Sequence, residues 1–290
     1  MSDISIHNRN AKPSADARRE SQRECADASR PGNMNPAAKQ HQSAGAGSAT
    51  GAEQCVWEHA SVGNTSWRMC TFFSAVDIVV SRNIKRFGCF ECDSVQHMLN
   101  AMATSRARGR QPVLIDVGGN IGMYSLAAAA AGHEVFTFEP VPLNALKIRS
   151  SSFANGFDRN LHLYTLGASD EWSTFAIGRD PINQGNLEHM PQTLTAMQIP
   201  VAPLQSVLGA SGVDWARRPI FLKMDIEGGE CRALRGMRQL LGAAGLHLLG
   251  VLIETNHKST WECIPELITA PDGAFHVFNT RHNLCGGLDC

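Results

Sequence analysis

The hydrophobic positions divide the chain into a polar head and a patterned remainder. Residues 1 to 54 carry Ile4 and Ile6 as their only isoleucine, valine or leucine, scattered among Ser, Ala, Gly, Asn, Gln and charges of both signs. Such a segment cannot bury enough apolar surface to offset the entropy of ordering, which predicts a disordered tail. From Cys55 the pattern changes, and Trp57, Val62, Trp67, Met69, Phe72 and Phe73 supply apolar anchors. Val76, Ile78, Val79, Ile84 and Phe87 predict a short helix ending at Gly88. Val95, Met98, Leu99 and Met102 fall at helical spacing and predict a second, closed by the basic loop from Arg106 to Pro112. Residues 55–110 are thus expected to form a lead-in segment and two lid helices across the carboxyl edge of a sheet.

Downstream the period alternates between strand and helix, which predicts an α/β fold with a doubly wound, mostly parallel sheet over residues 111–290. Val113 to Val117 is a short apolar run with one acid, Asp116, as in a buried parallel strand. Gly118 and Gly119 permit a sharp turn, and Gly122 lets the helix containing Leu126 to Ala131 approach the sheet. Val135 to Phe138 returns as a strand, leaving Glu139 at its carboxyl end, where a carboxylate can accept hydrogen bonds from a ribose diol. The unit predicts a nucleoside site. The spacing Gly118-Gly119-Asn120-Ile121-Gly122 differs from the Gly-x-Gly-x-x-Gly of dinucleotide sites. Asp116 also opposes a pyrophosphate and suits a ligand with a cationic amino-acid end, which disfavours a nicotinamide oxidoreductase.

After Glu139, Pro142 is permitted in the first turn of a helix that runs to Asn155-Gly156. Leu161 to Leu166 predicts the third strand, and Ser169 or Asp170 beyond it is placed to reach an adenine edge. Residues 172–200 carry Gly178, Pro181, Gly185, Pro191 and Pro200 with little periodicity, which predicts an irregular insertion with a β-ribbon, a place for substrate selection. In Ile220 to Glu230, Leu222, Met224 and Ile226 alternate with Lys223, Asp225 and Glu227. Strand alternation puts the three ionisable groups on one face, where burial demands a partner or a ligand. Leu248 to Glu254 predicts a fifth strand ending in Glu254-Thr255-Asn256-His257, and Phe275 to Phe278 a last one.

Composition narrows the function classes. Hydrophobic content of 43%, charge of 18% and a net charge of −1 fit a globular domain, with no basic-aromatic run to suggest a nucleic-acid partner. No apolar run approaches the roughly 20 residues that span a bilayer. The tail lacks the apolar core of a signal peptide, and Asp3, Asp16, Glu20, Glu24 and Asp27 oppose a transit peptide. The nine cysteines include Cys89-Phe90-Glu91-Cys92 but no second pair at zinc spacing, so no metal set is expected. The odd count points to reduced thiols and a cytoplasmic location.

Four ordered motifs carry a family resemblance: Asp116-Val-Gly-Gly-Asn-Ile-Gly122, Phe138-Glu139-Pro140, Gly167-Ala-Ser-Asp170 and Leu222-Lys-Met-Asp-Ile-Glu-Gly-Gly-Glu230. Together they closely resemble the FkbM-type methyltransferases over about residues 113 to 280. The resemblance implies a class I, Rossmann-like methyltransferase fold, S-adenosylmethionine as methyl donor, and an oxygen acceptor on a sugar or natural product. Gly119 stands where the family more often has alanine, and Leu204-Gln205-Ser206 where it often has Leu-Asp. Asp77-Ile-Val-Val-Ser81 and Gly88-Cys-Phe-Glu91 also look like the lead-in of eukaryotic members. Asp116, Gly118, Gly119, Asn120, Gly122, Glu139, Ser169 and Asp170 are then the expected cofactor residues. Asp225 and Glu227 are the first candidates for a general base, with Lys223 beside them and His257 as an alternative. Neighbouring carboxylates raise each other's pKa, and Lys223 opposes that shift. A nucleoside-binding scaffold without catalysis is the alternative reading.

Overall fold

The computed structural model describes residues 3–7, 54–177, 197–215, 217–241, 247–254, 263 and 276–278. It opens with a strand, β1 (Asp3–His7), inside the segment expected to be a tail. Two isoleucines in alternation are too short a signal to predict a strand alone. Pairing with the strand His247–Glu254 on one side and the strand His276–Phe278 on the other supplies what the local pattern lacks. A hairpin follows, β2 (Val56–Val62) and β3 (Thr65–Thr71). Helix α1 (Val80–Phe87) ends on a left-handed Gly88 as expected. Its first turn is satisfied by the Asp77 carboxylate, which accepts the Val80 and Ser81 N–H groups at 3.1 and 2.8 Å. Helix α2 (Cys92–Ala107) buries Val95, Met98, Leu99 and Met102.

The glycine-turn unit forms as read: β4 (Val113–Val117), α3 (Met123–Ala130) and β5 (Glu134–Phe138). Helix α4 (Pro142–Asn155) starts on Pro142 and stops at left-handed Gly156. Then come β6 (Leu161–Tyr164), β7 (Gly167–Ala168), and an antiparallel ribbon of β8 (Ser173–Ile177) and β9 (Met197–Ala202). Helix α5 (Leu204–Gly209) leads to β10 (Pro219–Met224), then α6 (Glu230–Arg235), α7 (Arg238–Leu241), β11 (His247–Glu254) and β12 (His276–Phe278).

The main sheet runs β12-β1-β11-β10-β4-β5-β6, and all its pairings are parallel. The β6-β5-β4-β10-β11 portion has doubly wound order, with the direction of winding reversing between β4 and β10. Both faces are covered. Leu114, Val135, Phe221 and Leu252 pack under α2, α3 and the hairpin, while Val113, Ile115, Phe136, Leu222 and Val251 pack with α5 to α7. That two-sided burial explains the near-continuous apolar runs of β4 and β10. Helix α2 packs on a sheet face rather than across the carboxyl edge, and of residues 55–110 only Val79, Val80, Phe90 and Glu91 reach the cavity at that edge.

The expectation of reduced thiols is overturned. Cys55 pairs with Cys70, Cys89 with Cys92, and Cys231 with Cys263. Spacing could not show the two longer crosslinks, because the hairpin brings Cys55, just before β2, near Cys70, the register partner of Trp57, and the tertiary fold brings Cys231 to Cys263. Disulfide mapping of unreduced protein is expected to recover these three crosslinks. Loss of the Cys231–Cys263 bond, which closes a loop of 32 residues, should cost roughly 3–4 kcal/mol in chain entropy.

One pair ties the centre of the sheet. Register makes Lys223 of β10 the direct neighbour of Asp116 of β4, and their charged atoms lie 3.5 Å apart. Lys223 is 5% exposed and Asp116 0%. Ser125 Oγ donates to the other Asp116 oxygen, and Lys223 Nζ donates to the Gly118 carbonyl at 2.6 Å. Truncating one member of a buried pair strands the other charge, so Lys223→Met should lower unfolding free energy by about 3–5 kcal/mol in urea melts. Combining it with Asp116→Asn should restore part of that loss.

Candidate active site at the carboxyl edge of the sheet

The loops after β4, β5 and β10, with β7 and the β8–β9 ribbon, enclose a cavity of about 1220 Å³, counting the space open to solvent. Its floor is the glycine turn. Gly118 has φ +80, and a Cβ there would overlap the Asp225 carbonyl oxygen, so the turn and the β10 loop can touch only without a side chain. A Cβ on Gly119 would come within 2.5 Å of Thr137 Cγ2, which explains glycine at the position where alanine is commoner.

Glu139, at the end of β5, is 3% exposed and lines the cavity. It accepts the N–H groups of Asn120 at 2.7 Å and Val141 at 2.9 Å, with the Asn144 amide at 3.3 Å. Burial pushes its carboxyl up to about 7, against the lowering effect of those hydrogen bonds and of Lys223. Lys223 is held charged. Burial alone would lower its pKa, but the charges of Asp116, Asp225, Glu91 and Glu254 raise it.

Asp225 and Glu227 also line the cavity, though not through strand alternation. Strand β10 ends at Met224, Asp225 N–H adds one last bond to the Val117 carbonyl at 3.0 Å, and Glu227 sits in a left-handed turn at φ +53. Glu230 shapes that turn by accepting the Ile226 and Gly228 N–H groups. Carboxylate oxygens of Asp225, Glu227 and Glu254 lie within 4.8 Å of one another, an all-oxygen set of the kind hard divalent cations accept.

The expected residues therefore divide. Gly118, Gly119, Asn120, Glu139, Lys223, Asp225 and Glu227 converge on the cavity. Asp116 and Gly122 lie behind its wall. Ser169 and Asp170 do not line it either. Asp170 is ion-paired with Arg232 at 2.9 Å and Arg235 at 3.3 Å, which hold its carboxyl below the usual range despite partial burial. Arg232 in turn stacks over the Phe175 ring at 4.8 Å, so Asp170 acts on the cavity through the ribbon. Gln205 bonds the Gln239 N–H at the start of α7 and stays away. His257 lies outside the described residues.

Sequence reading missed two walls. Phe175, Ile177, Ile199 and Val201 turn the ribbon's apolar face to the Glu139 side, a pattern hidden by the unperiodic insertion around it. Glu91 and Tyr124 form the other, with the Tyr124 hydroxyl donating to Glu91 Oε2 at 2.7 Å. Burial, then Glu91, raises the Tyr124 pKa well above its ordinary value. The only signal for Glu91 was its place in Gly88-Cys-Phe-Glu91. Among the described residues no helix is long and apolar enough to cross a membrane.

Comparison with known proteins bears on this site. No curated protein matches the sequence. Among solved structures, a candidate RNA methyltransferase of Pyrococcus horikoshii is 10% identical, with 60% of this chain and 65% of that one covered at a TM-score of 0.32. A precorrin-6y C5,15-methyltransferase of Geobacter metallireducens is 14% identical, over 53% of this chain and 59% of that one, at 0.30. The chain thus spans less than two thirds of either. The methyltransferase FkbM domain matches residues 116–263, just over half of the chain and all four motifs. With the cavity built from those same motifs, the chain belongs to the FkbM methyltransferase family.

Proposed function

We propose that this chain is an S-adenosylmethionine-dependent methyltransferase that acts on a hydroxyl of a sugar or small natural product. The observation that carries the reading is the convergence, in one cavity, of a side-chain-free glycine turn, the Glu139 carboxylate and the Asp225–Glu227 pair. These residues fit the cofactor. Glu139 at a strand's carboxyl end accepts the ribose hydroxyls, and the apolar ribbon covers a flat purine. Among the described residues the one lysine of the cavity, Lys223, is already occupied by Asp116 and the Gly118 carbonyl, which leaves acidic side chains to face a cationic ligand.

When bound, the cofactor would supply an electrophilic methyl group on a sulfonium, which would pass to the acceptor oxygen as the C–S bond breaks and S-adenosylhomocysteine leaves as a neutral thioether. The chain's own contribution is alignment and proton removal. Asp225 and Glu227 are the groups placed to take the hydroxyl proton, and Lys223 fixes the turn on which they meet the glycine loop. His257 stays a candidate for the same role. Three disulfides belong with an oxidising compartment, and we assign the chain there rather than to the cytoplasm.

Calorimetric titration tests the cofactor. S-adenosylmethionine and S-adenosylhomocysteine should bind the folded protein, NAD should not, and Glu139→Ala should weaken both adenosyl ligands. Asp225→Asn and Glu227→Gln should spare binding and reduce methyl transfer to a pool of neutral glycans. Full transfer by both variants would sink the base assignment, and binding without any transfer would favour a scaffold.

A pH dependence follows from Glu139. Ribose hydroxyls donate to the ionised carboxylate, so binding lowers its pKa from about 7. Affinity should be flat above that value and fall by at most about tenfold per pH unit below it. Titrations with S-adenosylhomocysteine across that range should show the bend, and Glu139→Gln should remove it.

A further inference from the structure

Sheet order gives the cavity a direction. Strand β5 lies on one side of β4 and β10 on the other. The β5 side holds Glu139 and the apolar ribbon residues. A nucleoside seated there extends whatever its ribose carries across Gly118, toward Lys223, Tyr124 and Glu91. Sequence assigned the cofactor's ammonium to Asp116, but Asp116 is 0% exposed, is paired with Lys223 and Ser125, and is absent from the cavity wall.

Glu91 is the carboxylate on that wall with a built connection to the glycine turn. Its Oε2 accepts the Tyr124 hydroxyl at 2.7 Å. Lys223 Nζ lies 5.5 Å from the centre of the Tyr124 ring and 2.6 Å from the Gly118 carbonyl oxygen. The Glu91 backbone is left-handed, with φ 55 and ψ 41, a conformation a non-glycine residue keeps only when its surroundings enforce it. The enforcement is covalent. Cys89 and Cys92 are bonded across Phe90 and Glu91, and Glu91 caps the start of α2.

We propose that Glu91 binds the ammonium at the amino-acid end of the cofactor, with Tyr124 and the Cys89–Cys92 disulfide as its positioning groups. The inference rests on the adenosyl-cofactor reading, and its test separates the two. The probes are S-adenosylhomocysteine and methylthioadenosine, which share the nucleoside and thioether but differ in the amino-acid end. Affinities are measured by calorimetry above the Glu139 titration on wild type, Glu91→Gln, Tyr124→Phe, the double variant Cys89→Ser/Cys92→Ser, and Asp225→Asn.

Glu91→Gln should weaken S-adenosylhomocysteine by about 10- to 100-fold, the range for a lost hydrogen bond to a charged group, and leave methylthioadenosine unchanged. Tyr124→Phe and the cysteine pair should give smaller losses with the same selectivity. Equal losses for both ligands would make Glu91 a structural residue and overturn the assignment. So would an unchanged S-adenosylhomocysteine affinity, or a selective loss confined to Asp225→Asn. Wild-type protein that binds methylthioadenosine as tightly as S-adenosylhomocysteine would also overturn it while sparing the cofactor reading. Wild type that binds neither would defeat both.

Discussion

The buried ion pair between Asp116 and Lys223 is the constraint around which the rest is arranged. Two opposite charges in a dry interior are tolerable only when their remaining hydrogen-bonding capacity is met. Here Ser125 and the Gly118 carbonyl meet much of it. The pair joins the ends of the two strands between which the winding of the sheet reverses, and it pins the glycine turn to β10 at the same time. Gly118 then has to be glycine, because the β10 loop is pulled against it until a Cβ would overlap the Asp225 carbonyl. One electrostatic contact thus sets strand register, turn geometry and the place where Asp225 enters the cavity.

The same contact explains what sequence could and could not show. Strands β4, β5 and β10, helices α1 to α4 and the glycine turn were legible because their periodicity is local and their stops are glycine or proline. The ionisable cluster was legible as chemistry but misread as geometry. Alternation fits Lys223, which points at Asp116, whereas Asp225 and Glu227 are delivered by a left-handed turn beyond the strand. Asp116 itself looked like a ligand group because its cross-strand partner lies more than one hundred residues away. Long-range partners leave no trace in spacing. For the same reason the Cys55–Cys70 and Cys231–Cys263 disulfides, the Arg232 bridge from Asp170 to Phe175 and the role of Gln205 at α7 were out of reach, whereas Cys89–Cys92 was visible as a local pair but read as reduced.

The lead-in segment shows how a small structure is stiffened where its own core is thin. Residues 55–92 form a hairpin and one short helix, too little to fold alone, yet they carry two of the three disulfides. Cys55–Cys70 closes the open end of the hairpin, Asp77 caps α1, and Cys89–Cys92 locks the junction with α2. The hairpin is also held to helix α4, since Cys70 N–H donates to Ser151 Oγ at 2.8 Å and Arg68 exchanges two hydrogen bonds with Asn155. Phe90 and Glu91 therefore reach the cavity from a rigid mount, which is what a wall needs if it is to orient a ligand.

Charge accounting ties these parts together. Lys223 carries the cavity's positive charge, but Asp116 cancels it from behind the wall. What faces the cavity is then Glu91, Asp225, Glu227 and, above its titration near 7, Glu139. Such a surface disfavours phosphates and carboxylates and suits a cation, and its half-buried carboxylates are screened less than fully exposed ones. Burial in the same wall makes ionisation of Glu139 costly, and its hydrogen bonds and Lys223 offset only part of that cost. Burying Lys223 against Asp116 thus locks the glycine turn and, at the same time, leaves the cavity net acidic. A site built this way fits the cationic nucleoside proposed above better than the phosphate-bearing ligands that other doubly wound sheets bind at the same edge.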